Sequence, residues 1–269
     1  MKPSALFEEQ GYALKFGVFS PAEIETMRHA VTNQFEVDGA KGMTKQVMKT
    51  SAKFAQGDLL SKEHLMTILL DDRIISMAKD LLQSADLVYF GDSTYQVGTG
   101  ARGFHRDATD RDFGTGLDYE DGYNILRMGI YLQDHKNFSG GLKIKVGSHK
   151  NASGKSIFLD TDAGDVAAWS LKTLHSGNAV RLKGLKGFSI DNSSIENRVP
   201  AFLKQDQQKQ RMSLFMTFGV KGKFVDHYIR NYMLKRDDVK ANLRASPYAD
   251  EARNLCQKKG VELIEPLQW

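Results

Sequence analysis

The first third of the chain has apolar residues at helical spacing. Ile24, Met27, Val31 and Phe35 form one apolar stripe, and residues 20–23 before it read Ser-Pro-Ala-Glu. A serine N-cap, a proline at the first helical position and a glutamate three residues after the cap are typical of a helix start. A second helix is predicted over 63–82 with a break near 71–73, and a short strand over 12–19. The polar residues 37–60 are predicted to form a long loop.

Alternation of apolar and polar residues replaces the helical spacing from residue 87 onward. Glycine-containing turns separate short predicted strands at 87–90, 94–97, 124–133, 142–146, 166–174 and 211–219. This pattern predicts an antiparallel sandwich or barrel, such as a double-sheet jelly roll. The predicted fold is therefore mainly β with helical cover. We expect one domain over 1–269, made of helical cover at 1–84, a jelly-roll core at 85–219 with an insertion at about 182–210, and a C-terminal extension with flanking helices at 220–269.

Composition narrows the classes of partner. The 269 residues carry 37 basic and 33 acidic side chains, and the net charge of +4 is too small to indicate nucleic-acid binding, although it suits small anionic substrates. The single cysteine, Cys256, excludes an internal disulfide and fits a reducing compartment, so we expect a cytoplasmic protein. The first ten residues include Glu8 and Glu9 and no apolar run of signal length. No segment reaches the ~20 apolar residues of a membrane span.

Candidate chemistry is concentrated in residues 103–107, Gly-Phe-His-Arg-Asp, and at a distant histidine, His175. Residues i and i+2 of an extended strand point to the same side, so His105 and Asp107 can reach one ion while Arg106 points away. Two imidazoles and one carboxylate form the facial triad of non-haem Fe(II) sites, which leaves open positions for reactants. The alternative is a His and an Asp on a surface turn, because so short a motif also arises by chance.

Several further motifs follow one another in a specific order. They are an opening at 7–11 and 16–23, the sequence at 103–107, two glycines at 140–141, Val-Gly-Ser-His at 146–149, Ala-Gly-Asp at 163–165, Leu-His-Ser-Gly-Asn at 174–178, and an arginine at 211. With this order, residues 5–180 and 211–219 resemble the phytanoyl-CoA dioxygenase-like branch of the Fe(II)/2-oxoglutarate-dependent oxygenases. The resemblance implies a double-stranded β-helix, a jelly roll with iron at one mouth. It also implies that His105, Asp107 and His175 bind Fe(II), with 2-oxoglutarate and O2 as cosubstrates.

The resemblance further implies an arginine for the distal carboxylate of 2-oxoglutarate, because a guanidinium binds a carboxylate through two parallel hydrogen bonds. In this family the arginine begins the strand after the second histidine. Arg211 matches a strand start but lies 36 positions after His175, so residues 182–210 are interpreted as an insertion. Arg181 is the alternative, although the sequence after it resembles a loop. Two polar side chains are further candidates for the cosubstrate pocket: Ser176 and Gln96.

The implied activity is oxidation of a small-molecule substrate, with release of succinate and CO2. Related halogenases lack a carboxylate at the third ligand position, so Asp107 favours hydroxylation over halogenation. Two alternatives remain open: a cupin-like metalloenzyme that uses Zn or Mn without 2-oxoglutarate, and a binding module with a degraded site. The primary substrate is not readable from the sequence, and both a monomer and a homodimer are compatible with it.

Other conspicuous side chains have ordinary expected roles. His149 ends a predicted strand in a turn and is expected to be structural, Trp169 is expected in the sheet core, and Arg106 is expected to be solvated or at the rim of a pocket. Surface positions are predicted for His64, His135 and His227, and His29 on its helix is expected at the surface or in packing.

Overall fold

The computed structural model describes residues 3–47, 50–100, 103–207 and 209–268. Within these ranges the strands are β1 Tyr12–Lys15, β2 Thr44–Gln46, β3 Lys53–Ala55, β4 Leu87–Val97, β5 Ile125–Tyr131, β6 Lys143–Lys145, β7 Ser156–Phe158, β8 Val166–Ser170, β9 His175–Ser176, β10 Met212–Val220 and β11 Val261–Leu263. The α-helices are α1 Pro3–Gln10, α2 Pro21–Ala40, α3 Met66–Leu69, α4 Asp72–Leu82, α5 Ser193–Arg198, α6 Lys223–Tyr228, α7 Asp237–Arg244 and α8 Asp250–Lys258.

The larger of two sheets has the antiparallel order β1-β8-β5-β10-β4-β3-β2. Strand β10 lies in its middle, where Leu214 pairs with Ile130 of β5 on one side and with Tyr95 of β4 on the other. All three side chains are fully buried, because both faces of the sheet are covered. The prediction of a mainly antiparallel β fold with helical cover is confirmed.

The two strands predicted at 87–90 and 94–97 form one continuous strand, β4. Gly91 lies between them with a φ of +75°, and the pairing of β4 with β10 shifts in register between Met216 and Phe218. A glycine adopts this backbone conformation without steric cost, so the chain passes through an irregular point and continues. A side chain at this position would also collide with the hydroxyl of Tyr248, 2.7 Å from the position of a Cβ atom.

The smaller sheet has the order β7-β6-β9 and faces the larger one. The two sheets enclose a core cluster of Tyr131, Leu142, Ile144, Leu159, Ala167 and Trp169. The strands of the smaller sheet have only two or three residues, so this sheet has few hydrogen bonds between strands. Two facing antiparallel sheets of this kind form a jelly roll.

Helices α2, α3 and α4 cover the outer face of the larger sheet through a second, larger core cluster. The predicted capping box is confirmed, since the Ser20 side chain accepts from the backbone of Glu23 and the Glu23 carboxylate accepts from the backbone of Ser20. The predicted break near 71–73 is also confirmed, and Asp71 caps α4. The prediction of a loop over 37–60 is wrong, because α2 continues to Ala40 and β2 and β3 form a hairpin at the edge of the larger sheet. Both strands have only three residues, and β2 is entirely polar, so the alternation by which a strand is recognised is absent.

The segments at 182–210 and 220–269 contact the jelly roll through specific side chains and strand pairing. Glu196 of α5 forms a buried ion pair with Lys143 of β6 at 2.9 Å and accepts a hydrogen bond from the backbone of Val180. The C-terminal segment adds α6, α7 and α8, and its last strand, β11, pairs in parallel with β4. Every helix in the described ranges is too short or too polar to cross a lipid bilayer.

Candidate metal centre

The three candidate ligands meet where the stretch 103–107 crosses the start of β9. His105 and His175 exchange two backbone hydrogen bonds of 3.0 Å, which form an isolated antiparallel bridge. The predicted strand over 166–174 is therefore wrong beyond Ser170: β8 ends there, a turn follows, and His175 begins β9 in the smaller sheet. Alternation still holds locally, since the side chains of His105 and Asp107 lie on the same side.

The ligand atoms converge as one metal ion requires. The Asp107 carboxylate lies 3.7 Å from His105 Nε2 and 3.4 Å from His175 Nε2, and the two imidazole centroids are 4.4 Å apart. One ligand atom from each residue lies within 4.8 Å of the others. Asp107 and His175 are buried, whereas His105 is about half exposed at the mouth of the site. A set of two nitrogen donors and one carboxylate oxygen fits Fe(II) with positions left open.

Backbone carbonyls orient both imidazoles. His105 Nδ1 lies 3.0 Å from the carbonyl oxygen of Gly103, and His175 Nδ1 lies 3.0 Å from that of Thr173. Because a carbonyl only accepts hydrogen bonds, each Nδ1 carries the proton and each Nε2 keeps a lone pair for a metal. Burial lowers the pKa of His175 to about 4, so this imidazole is neutral at neutral pH.

The turn between β8 and β9 forms hydrogen bonds with the segment that carries His105 and Asp107. The carbonyl of Leu171 accepts hydrogen bonds of 2.9 Å from the backbone N–H groups of Asp107 and Ala108. Arg106 donates to the carbonyl of Lys172 at 2.9 Å, and its Nη2 reaches three more carbonyls in 148–152. The expected solvated or rim position of Arg106 is therefore wrong. Its side chain is buried and fastens the two ligand-bearing segments together.

Arg127 of β5 is a site residue that the sequence reasoning did not identify. Its guanidinium contacts the Asp107 carboxylate at 3.2 Å, the Asp92 carboxylate at 2.6 Å and the Thr217 hydroxyl at 3.0 Å. Burial raises the pKa of Asp107, but Arg127 and the two imidazoles outweigh this effect and lower that pKa to about 2. Asp107 is therefore ionised at any ordinary pH and available as a ligand.

A cavity of about 210 Å³ opens beside the triad and has Arg211 in its wall. The Arg211 guanidinium is buried and donates to the Gly140 carbonyl at 3.0 Å, to Gln96 Oε1 at 3.2 Å and to the Ser213 hydroxyl at 3.1 Å. No carboxylate of the described residues lies within ion-pair distance of it. Aromatic and amide side chains complete the wall, among them Tyr131, Trp169, Phe215 and Asn178.

Two of the other three cosubstrate candidates, Arg181 and Ser176, lie outside this cavity. Arg181 stacks on Phe158 at 4.3 Å and pairs with Asp160, outside the cavity that contains the triad. The Ser176 hydroxyl is buried and accepts a hydrogen bond from the backbone of Gly103 at 3.1 Å. Ser176 therefore supports the segment before His105 and does not line the cavity. Gln96, in contrast, lines the cavity.

The remaining histidines divide into exposed and buried ones. His29 and His64 are exposed, as predicted. The prediction for His135 is wrong: it is buried against Tyr131, and burial lowers its pKa to about 3. His227 is also mostly enclosed, 3.3 Å from Asp110. His149 is buried and bonds to the carbonyl of Glu8 at 2.8 Å.

The family model of phytanoyl-CoA dioxygenase (PhyH) matches residues 7–184. The chain therefore belongs to the phytanoyl-CoA dioxygenase-like family of oxygenases, which depend on Fe(II), 2-oxoglutarate and O2. The comparison with curated proteins found no significant sequence match.

Similar solved structures agree in fold. One is the non-haem α-ketoglutarate-dependent epimerase SnoN from nogalamycin biosynthesis, 14% identical over 81% of each chain with a TM-score of 0.58. HygX from Streptomyces hygroscopicus, solved with nickel, 2-oxoglutarate and hygromycin B, is 16% identical over 81% of this chain and 86% of its own, with a TM-score of 0.56. EctD from S. alaskensis, solved with 2-oxoglutarate and 5-hydroxyectoine, is 16% identical over 81% of this chain and 74% of its own, with a TM-score of 0.54.

Proposed function

We propose that this protein hydroxylates a small-molecule substrate in a reaction that depends on Fe(II), O2 and 2-oxoglutarate and releases succinate and CO2. The observation that carries the proposal is a His-Asp-His cluster that shares one cavity with a buried arginine, Arg211, which has no carboxylate partner among the described residues. His105, Asp107 and His175 are the proposed iron ligands, bound through two Nε2 atoms and one carboxylate oxygen. Bound Fe(II) supplies the activation of O2 that is coupled to oxidative decarboxylation of 2-oxoglutarate.

Arg211 is the residue we propose for the distal carboxylate of 2-oxoglutarate. A buried guanidinium without a counter-ion is costly, and a carboxylate ligand would supply the missing charge. Gln96 and Ser213 already accept hydrogen bonds from Arg211, which holds its planar group in one orientation. This arrangement also weighs against a metalloenzyme that does not use 2-oxoglutarate, because such an enzyme has no need for a buried, unpaired arginine.

The protein's own part in the reaction is to orient ligands and reactants and to exclude water. The carbonyls of Gly103 and Thr173 keep both Nε2 atoms unprotonated, and Arg127 keeps Asp107 ionised. Trp169 and Phe215 give the cavity apolar walls, and the half-exposed His105 marks the side from which a substrate approaches.

Hydroxylation is the outcome that Asp107 favours, because a carboxylate occupies the ligand position that a halide needs in halogenases. Solved structures of this fold include an epimerase and a carbocyclase, so the fold alone does not choose the outcome. The test is a screen of candidate small molecules with anaerobically loaded Fe(II), in which succinate and the oxidised product are both measured by mass spectrometry. A product with one added oxygen supports the proposal. A chlorinated product, or turnover that continues without 2-oxoglutarate, contradicts it.

A further inference from the structure

A second and larger cavity, of about 760 Å³, lies behind the metal centre. Consecutive residues of β8 separate the two cavities: Trp169 lines the cavity of the triad, and Ser170 lines the larger one. Successive side chains of a strand point to opposite faces of its sheet, so the larger cavity lies on the other side of β8 from the iron ligands. Its volume is in the range of cavities that hold small molecules.

Lys172 forms part of the wall of this second cavity and is nine-tenths buried. Its ammonium lies over the rings of Tyr123 at 4.8 Å and Tyr119 at 5.4 Å. The ammonium group makes no hydrogen bond and no ion pair with any described residue. The nearby carboxylates of Asp118 and Asp121 are beyond ion-pair distance. Burial lowers the pKa of Lys172, so these carboxylates do not offset the hydration that the ammonium has lost. Two aromatic faces offset only part of the lost hydration of a buried ammonium, and an anionic ligand would supply the missing counter-charge.

The other lining residues narrow the class of anion. Phe7, Leu81, Leu82 and Phe113 give the cavity an apolar side, which suits a hydrocarbon body. Glu8 and Asp121 are exposed lining residues and repel a ligand with several negative charges. A single carboxylate beside Lys172, with an apolar chain against the apolar lining residues, satisfies both features.

We propose that this cavity is a binding site for a small organic monocarboxylate, with the Lys172 ammonium as its anchor. The site is distinct from that of 2-oxoglutarate, whose proposed anchor is Arg211. The two sites share one structural connection, since the turn that carries Lys172 also provides the Leu171 and Thr173 carbonyls that support the iron ligands.

The test is calorimetric titration of the full chain with hexanoate in the presence of saturating 2-oxoglutarate, so that Arg211 is occupied. Hexanoate is expected to bind, and Lys172→Met is expected to weaken binding about 10- to 100-fold, as for the loss of one charge-assisted contact. Lys150→Met is the matched control: it removes an exposed lysine of the same cavity and should change the affinity by less than about threefold. Equal binding to wild type and Lys172→Met overturns the proposal, as does equally tight binding of hexan-1-ol, which lacks the charge.

A second measurement needs no variant and covers the case in which Lys172→Met does not fold. Wild-type protein is reductively methylated with and without hexanoate, and the modification of each lysine is read by peptide mass spectrometry. Hexanoate is expected to protect Lys172 and to leave Lys150 unprotected. Absence of protection at 10 mM hexanoate overturns the proposal. Because the readout is local to Lys172, it is independent of whether 2-oxoglutarate binds at Arg211.

Discussion

Two clusters of histidine and aspartate in the described residues have ligand atoms within 4.8 Å of one another, yet only one has the surroundings of a metal site. In the first, His105, Asp107 and His175, backbone carbonyls bind both Nδ1 atoms and leave both Nε2 atoms free. In the second, Asp110, Asp118 and His227, each aspartate accepts a hydrogen bond from the other's backbone N–H at 3.1 Å. Proximity of ligand residue types is therefore not sufficient, and the orienting hydrogen bonds make the difference.

The largest expected effect comes from breaking the first cluster. His175→Ala removes one nitrogen ligand from a buried position, so we expect loss of stoichiometric Fe(II) binding and at least a roughly 100-fold loss of 2-oxoglutarate turnover. Iron content by mass spectrometry and succinate formation are the measurements. His149→Ala is a control for the loss of a buried histidine that bonds only to a backbone carbonyl. Unchanged turnover in His175→Ala would sink the assignment of the triad.

Asp107→Gly tests the carboxylate within the same cluster. The variant keeps both imidazoles and removes the only anionic ligand, so we expect loss of hydroxylation. At best, weak halide-dependent chemistry remains, which product analysis in chloride and in acetate buffer would detect. Full hydroxylation by Asp107→Gly would show that the carboxylate is not a ligand.

A comparison of Arg211 and Arg181 tests which arginine binds 2-oxoglutarate. Loss of a mostly buried, charge-assisted pair costs about 2–5 kcal/mol, so Arg211→Ala should raise the apparent Kd for 2-oxoglutarate tens-fold to thousands-fold. Arg181→Ala is the matched control and should change it by less than about threefold, because the partner of Arg181 is the exposed Asp160. Titration of each variant with 2-oxoglutarate measures the two Kd values. The reverse pattern would mean that the cosubstrate binds outside the cavity of the triad.

The local pattern of the sequence was sufficient for the fold class, and it selected His105, Asp107 and His175, which the structure brings together. Apolar spacing reports which face of a helix or strand is buried, and the ligands lie in short motifs. The hairpin of β2 and β3 was missed because β2 is entirely polar and each strand has only three residues, too few to show alternation. The boundary at Ser170 was missed because apolar residues continue into the turn, where Leu171 is buried like a strand residue.

Arg127 was missed for a different reason. It lies in a strongly apolar strand, and the strand pattern was used only to assign secondary structure. A charged residue on the same face as Gly129 and Tyr131 was a signal that this face meets a polar site. Its partners, however, come from β4, from β10 and from Asp107, and no local pattern shows which strands become neighbours. Tyr228 of α6 extends the same network by donating to Asp92 at 3.0 Å, so the C-terminal segment is connected to the candidate metal centre.

Arg127→Met tests whether this network supports the metal ligand. The variant keeps most of the side-chain volume and removes the charge beside Asp107, so we expect Fe(II) affinity to fall about 10- to 100-fold. The pKa of Asp107 should rise at the same time, because burial would no longer be opposed by Arg127. Metal titration at pH 7 and pH 5 separates the two effects: the loss of affinity should be greater at pH 5. Equal affinity of variant and wild type at both pH values would show that Asp107 needs no support from Arg127.

The smallest effect is expected from His227→Ala, which tests the second cluster. The Asn231 amide nitrogen lies 2.8 Å from His227 Nδ1, so Nδ1 accepts a hydrogen bond, and Nε2 carries the proton that faces Asp110 at 3.3 Å. A protonated Nε2 has no lone pair for a metal. Burial also raises the pKa of Asp118, which makes its carboxyl a poorer ligand.

We therefore expect wild type and His227→Ala to bind the same number of iron ions, one per chain, with turnover changed by less than about threefold. The melting temperature should fall by a few degrees, since the histidine joins α6 to the loop at 110–118. Iron content, succinate formation and calorimetry measure these three quantities. If wild type binds two ions and His227→Ala binds one, both clusters are metal sites, and the orienting hydrogen bonds at His105 and His175 do not distinguish them.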